Sequence, residues 1–171
     1  AFSGLAKKFN TTTAQVSLTV SSYFIGMAVG QILYGPLLDR FGRKLPLYAG
    51  LLIFIAASLA CMVAQSIEQL IAFRAIQALG GSVAWVAAVA LVRDLFPAEE
   101  SARIFSLLVL ILGVSPLLAP TIGGFLTITW GAAAVFMALA LIATLILLVV
   151  WLFLPPGQTA DKEVSLHLKP I

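Results

Sequence analysis

The stretch GPLLDRFGRKLPL, Gly35 to Leu47, stands between two long apolar runs and concentrates Asp39, Arg40, Arg43 and Lys44 in one short turn. The whole chain of 171 residues holds only ten Lys and Arg and seven Asp and Glu, 10% charged in all. A charged turn flanked by glycines and bounded on both sides by apolar sequence is what two membrane-crossing helices joined at a water interface require. The rest of the composition agrees. Hydrophobic residues make up 61% of the chain and the mean hydropathy is +1.10, against roughly 45–50% apolar residues in soluble domains. A water-soluble core of this size has no room for so many apolar side chains, whereas lipid accepts them on every face of a helix.

Five segments reach the length of about 20 residues needed to cross the hydrocarbon layer. They are expected at 16–38, 46–65, 70–92, 104–126 and 130–154, joined by short connections such as SIEQ and TITW. These runs are far longer than the 9–11 residues of a barrel strand and show no strict alternation. An open sheet in lipid would also leave backbone donors unpaired, so helices are expected throughout. The fold class is an all-α membrane protein, a transmembrane helix bundle.

Lys and Arg fix the orientation. Arg40, Arg43, Lys44, Arg93, Arg103, Lys162 and Lys169 lie on one side, and only Lys7 and Lys8 on the other. The positive-inside rule makes the first side cytoplasmic. The net charge of +3 therefore reports topology, and no nucleic-acid partner is expected. AFSGLAKKFNTTTAQ lacks the apolar run of a cleavable signal peptide. An outside start without such a signal points to an upstream helix beyond this sequence. Cys61 excludes an internal disulfide and, like the lone His167, belongs to no metal-ligand cluster. No Ser/His/Asp set, phosphate loop or paired catalytic carboxylates occur, so neither enzyme chemistry, a metal nor a cofactor is expected.

The charges of the opening turn are on the wrong side for their own helices. Asp39 falls at a helix C-terminus, where the macrodipole repels it. Arg43 and Lys44 stand at the N-terminus of the next helix, just before Pro46. A topology anchor needs only the basic residues; Asp39 calls for partners on neighbouring helices. Gly35 and Gly42 are expected to permit the tight turn and a close helix approach. A plain solvated turn remains the alternative on physics alone.

At this point the sequence resembles a known family. Gly35-x-Leu37-x-Asp39-Arg40-x-Gly42-Arg43-Lys44-x-x-Leu47 is similar to the signature loop between the second and third helices of major facilitator superfamily transporters, with every position filled. Leu70-x-x-x-Arg74-x-x-Gln77-x-x-Gly80 resembles the fourth-helix motif, with Ala78 in place of its usual glycine. Gly113-x-x-Pro116-x-x-Ala119-Pro120-x-x-Gly123-Gly124 resembles the fifth-helix antiporter motif, with Ala119 replacing a glycine. The loop Arg93 to Arg103 is similar to that of bicyclomycin-resistance-type drug:proton antiporters. The resemblance implies the N-terminal half of the transporter fold. Residues 1–15 would be the end of helix 1 and an outer loop, 16–155 the family's helices 2 to 6, and 156–171 the start of a central cytoplasmic linker. Most of helix 1 and the second half would lie outside this sequence.

The resemblance further implies proton-coupled export of a small drug-like or amphipathic molecule by alternating access in a bacterial inner membrane. The lipid bilayer, protons, the substrate and the absent second half are the implied partners, and the chain alone is expected to be inactive. A metabolite facilitator or symporter of the same fold, and a self-contained five-helix scaffold, are the alternatives. In this reading Gly35, Asp39, Arg40, Gly42, Arg43, Lys44 and Asp94 form an inner gating loop in which Arg43 links Asp39 to Asp94. The segment with Gly113, Pro116, Pro120, Gly123 and Gly124 is a hinge; the two prolines each remove a backbone hydrogen bond.

Arg74 is the only charged residue set inside a span away from its ends. It must point into the bundle or snorkel outward. Helical spacing puts Arg74, Gln77, Gly81 and Trp85 on one face, expected to line the transport pathway. Tyr23, Met27 and Gln31 form a second stripe, which suits either an adaptable pocket or ordinary helix packing. Gly26 and Gly30 have the spacing for close helix contact.

Overall fold

The computed structural model describes residues 12–153, and the expected linker and the end of helix 1 fall largely outside them. Five helices follow one another: α1 (Thr13–Phe41), α2 (Lys44–Val63), α3 (Ile67–Leu95), α4 (Ala98–Trp130) and α5 (Ala132–Phe153). All five are long and apolar enough to cross a membrane, and no strand occurs among the described residues. The 20 residues of α2 span about 30 Å at 1.5 Å per residue, the thickness of the hydrocarbon core.

Local sequence sets the helix ends. Thr12 caps α1, its hydroxyl accepting from the Gln15 N–H at 3.3 Å. Ser66 does the same for α3 from Gln69 N–H at 3.2 Å, while the Gln69 side chain reaches back to the Gln65 N–H at 3.0 Å. This Ser-x-x-Gln exchange is a capping box displaced by one residue. Gly42 (φ 78°) and Gly131 (φ 86°) end α1 and α4 in a left-handed conformation that side chains resist. Glu99 and Glu100 sit in the first turn of α4, where the helix dipole favours them. The Ser101 hydroxyl donates to the terminal carbonyls of Val92 and Phe96, locking the α3–α4 corner.

The expected spans were right in number and order but too short at several ends. TITW is the last turn of α4, and the break falls at Gly131 instead. Likewise α1 continues through Gly35 and Pro36 to Phe41, so Gly35 lies inside a helix and not in the turn; a Cβ there would meet no described atom within 4 Å. Membrane helices run past the apolar slab into headgroup depth, and hydropathy alone does not see that extension.

α3 is the central element, packed along both α1 and α2, while α5 lies on α2 and α4 lies mainly against α5 and the end of α3. Small residues make the inner contacts. Gly26 and Gly30 of α1 rest on Ala75, Leu79 and Ser82 of α3, and Gly50 of α2 faces Gly80 and Val83 of α3. The expected close approach at Gly26 and Gly30 is therefore present. In lipid, where apolar burial gives no drive for association, backbone proximity of this kind supplies the dispersion contact that holds helices together. Two side-chain clusters complete the core. Tyr34, Leu38, Leu47, Leu51, Val83 and Ala87 fill the end near the charged turn, and Val16, Cys61, Ala64, Ile67 and Leu70 fill the opposite end. Apart from Ser101, α4 buries nothing among the described residues.

Candidate functional site

Two polar groupings stand out in this apolar bundle, one at each end of α3. The first is built where α1, α2 and α3 converge at the basic end. Asp39 sits in the last turn of α1, Arg43 caps α2, and Asp94 sits in the last turn of α3. Arg43 joins them: its Nη1 donates to Asp39 Oδ1 at 2.7 Å and its Nε to Asp94 Oδ2 at 2.9 Å. The Arg43–Asp94 contact is the one expected from the sequence. It ties α2 to α3 across 51 positions of chain, whereas the Asp39 pair is a local i,i+4 contact.

The hydrogen bond to Asp94 is the largest influence raising the Arg43 pKa above its ordinary value, against a smaller lowering by burial. A cation whose folded pKa is raised contributes stability in full below its unfolded value and loses it only as pH climbs through the folded one. For arginine that window is far above any growth pH, so Arg43 stays charged and does not itself confer pH sensitivity. The Asp39 side chain is 74% exposed and that of Asp94 31%. Pairs this accessible contribute only about 0–1 kcal/mol after solvent screening, weak enough to be broken and remade. Beside them a cavity of about 200 Å³ is lined by Gly35, Leu38, Val86, Val89 and Ala90 together with the three charged residues and Arg93. Arg40 lies over the Phe41 ring at 5.4 Å and Lys44 over the Tyr48 ring at 5.6 Å.

Replacing Asp94 with Asn should uncouple α2 from α3 at this end while barely changing stability. The expected result is a thermal midpoint within a few degrees of wild type, read by thermal denaturation in detergent.

The second grouping surrounds Arg74, about 10 Å along α3 from its N-terminal end by helical rise. Its guanidinium stacks on Tyr23 of α1 at 4.3 Å and approaches Phe136 of α5 at 5.9 Å. Arg74 Nη1 donates to Gln77 Oε1 at 2.7 Å. No carboxylate among the described residues lies within ion-pair distance of it. Aromatic faces supply about 0.5–2 kcal/mol to such a cation, which tempers but does not neutralise its charge.

The expected pathway face divides. Arg74 and Tyr23 meet, but Gln77 is fully buried against α2 and Gly81 packs on the Phe54 ring, so neither lines an open wall. Trp85 is half-buried about 16 Å further along α3 and Gln31 is exposed on α1; neither touches Arg74. On α4, Pro116 and Pro120 lie inside one continuous helix, and a Cβ at Gly113, Gly123 or Gly124 would meet no described atom within 4 Å. Ser58 and Phe136, which complete the Arg74 surroundings, carried no signal in the sequence: one is a lone serine and the other a lone aromatic in apolar runs.

The family model of the Major Facilitator Superfamily matches residues 1–168. The chain belongs to the Major Facilitator Superfamily. It is therefore an integral membrane protein of a transporter family whose members handle small molecules. It is 32% identical over 167 residues to the Bacillus subtilis (strain 168) protein named uncharacterized MFS-type transporter YdgK, covering 95% of this chain and 41% of that protein. It is 30% identical over 170 residues to the bicyclomycin resistance protein homolog of Haemophilus influenzae, covering 99% and 43%. It is 36% identical over 139 residues to multidrug resistance protein D of Escherichia coli (strain K12), covering 81% and 35%. The chain thus spans about two fifths of the length of the major facilitator relatives it matches.

Proposed function

We propose that the complete protein is a secondary active transporter of the bacterial cytoplasmic membrane that exports drugs or other small amphipathic molecules in exchange for protons. This chain supplies the family's helices 2 to 6 and is inactive alone. The observation that carries the reading is Arg43 straddling two carboxylates on different helices at the basic end. Such a bridge holds the inner ends of α1, α2 and α3 together in one conformation and is weak enough to open in another.

In the cycle proposed, Asp39 engages the end of a helix from the second half while Arg43 holds Asp39 and Asp94, closing the cytoplasmic side. Substrate occupies the interface between halves near the midplane, as in transporters built from repeats. Arg74 sits towards the outer side with its charge uncompensated, so it lowers the proton affinity of a carboxylate brought near it and raises the cost of closing the cavity around an unpaired cation. The protonating carboxylate lies elsewhere in the complete protein, because no acidic residue lies deep within any of the five helices. The prolines and glycines of α4 form the hinge. The chemistry is transport, not catalysis.

Everted membrane vesicles containing the complete carrier test this directly. Imposing an inward-acidic gradient should drive drug uptake, and a proton uncoupler should abolish it. Uptake unaffected by the uncoupler would favour a facilitator of the same fold.

A further inference from the structure

The buried polar side chains between α2 and α3 form a chain with a defined direction. The Ser58 hydroxyl donates to the Phe54 carbonyl at 2.7 Å, one turn earlier in α2. With its proton committed there, the Ser58 oxygen presents a lone pair to α3 and accepts from the Gln77 amide nitrogen at 2.6 Å. That choice fixes the amide. Its nitrogen must face Ser58, so its oxygen faces outward and accepts from Arg74 Nη1 at 2.7 Å. The opposite amide orientation would set NH2 against guanidinium, donor against donor. Ser58 and Gln77 are each fully buried, with 0% exposure. Neither has water to fall back on, and a polar group left unpaired there carries its full desolvation cost.

We infer that Ser58 is a positioning residue for Arg74. Acting through Gln77, it holds the guanidinium against the Tyr23 ring and near Phe136 and so sets where the embedded positive charge meets the protonating group. The inference rests on the proposed proton-coupled export. It assigns to α2, which carries no ionisable group near Arg74 other than the Cys61 thiol, a share in coupling. Loss of the Ser58 oxygen strips the buried Gln77 amide nitrogen of its partner and unpins that side chain. Arg74 then keeps its charge but loses its fixed direction, and proton coupling suffers while the substrate path does not.

The test uses the complete carrier in proteoliposomes and two readouts, proton-driven export and drug–drug exchange without a gradient. Ser58→Ala is expected to lower proton-driven export about tenfold, the scale of one lost buried hydrogen bond, with exchange at the wild-type rate. Ser58→Thr, whose hydroxyl can make the same i−4 bond, is expected to restore export. Wild-type export by Ser58→Ala overturns the inference. So does an equal fall in both readouts or a failure of Ser58→Thr to rescue, either of which marks a purely structural serine. If Ser58→Ala does not accumulate in the membrane, Ser58→Cys keeps the volume with a poor acceptor and is expected to show the same split; wild-type export by that variant overturns the inference equally. Arg74→Met reports separately on the underlying reading. If it retains proton-driven export, the coupling role of Arg74 fails. If it abolishes export while Ser58→Ala does not, only the role of Ser58 fails.

Discussion

Arg74→Met in the complete carrier is expected to reduce proton-driven export by at least about a hundredfold while leaving membrane insertion and fold intact. Methionine has nearly the length of arginine and no charge, and its thioether packs well against aromatic rings, here Tyr23 and Phe136, which both approach Arg74. Removing the cation also removes its cost in the membrane, about 2.5–3.5 kcal/mol for an unpaired central charge by insertion scales and less nearer an interface. Gln77 keeps its bond to Ser58, but its buried carbonyl oxygen loses Arg74, a cost of about 1–3 kcal/mol that is offset by removal of the embedded charge. Little net change in stability is therefore expected, and the loss is one of coupling. A hundredfold loss corresponds to about 2.7 kcal/mol in the transport barrier, a size that repositioning one embedded charge can supply. Drug accumulation in cells, paired with quantitation of the carrier in the membrane, checks both halves of the statement. Normal resistance at normal abundance contradicts it.

The second large effect is structural. A side-chain carbon added at Gly80 would lie 2.7 Å from the Gly50 carbonyl oxygen and 2.7 Å from the Phe54 backbone nitrogen. Both obstacles are main chain, so no rotamer change relieves the clash and α2 must move away from α3. Gly80→Leu is expected to destabilise by more than the usual 1–3 kcal/mol of overpacking, seen as a sharp fall in detergent thermal midpoint or failure to accumulate. The separation would also stretch the Ser58–Gln77 bond, formed less than one turn from Gly80. Unchanged abundance and midpoint would show that the two helices do not pack as described. Gly123→Leu makes the contrast. A Cβ there meets no described atom within 4 Å and α4 does not pack along α2, so this variant should leave the α2–α3 contact undisturbed, and its expected effect is on conformational exchange of α4.

The sequence shows the five spans because twenty apolar residues in a row have no other stable solution in lipid. The Arg43–Asp94 contact was legible only through the family resemblance, since nothing local connects residues so far apart in the chain. What could not be read follows from geometry that depends on helix rotation. Gln77 shares a helical face with Arg74 on a wheel, yet small rotations decide whether it looks into a cavity or into α2, and Gly50 opposite Gly80 turns it inward. Ser58 is one of several serines in apolar segments. Only the backbone of α2 shows that its oxygen reaches Gln77 while that of Ser115, in the same kind of setting, only back-bonds to Ile111. The length of α4 was hidden because Thr127, Thr129 and Trp130 read as a polar connection although each has a place in a helical turn.

The central claim is that the ionic cluster at the inner ends of α1, α2 and α3 opens and closes during export. It is tested most directly by proton-driven drug export from proteoliposomes carrying the complete protein, compared at equal reconstitution among wild type, Asp39→Asn and Arg43→Gln. A working clasp requires both neutral variants to fall close to the background of empty liposomes. Export at the wild-type rate by both would show that these charges merely decorate a fixed turn.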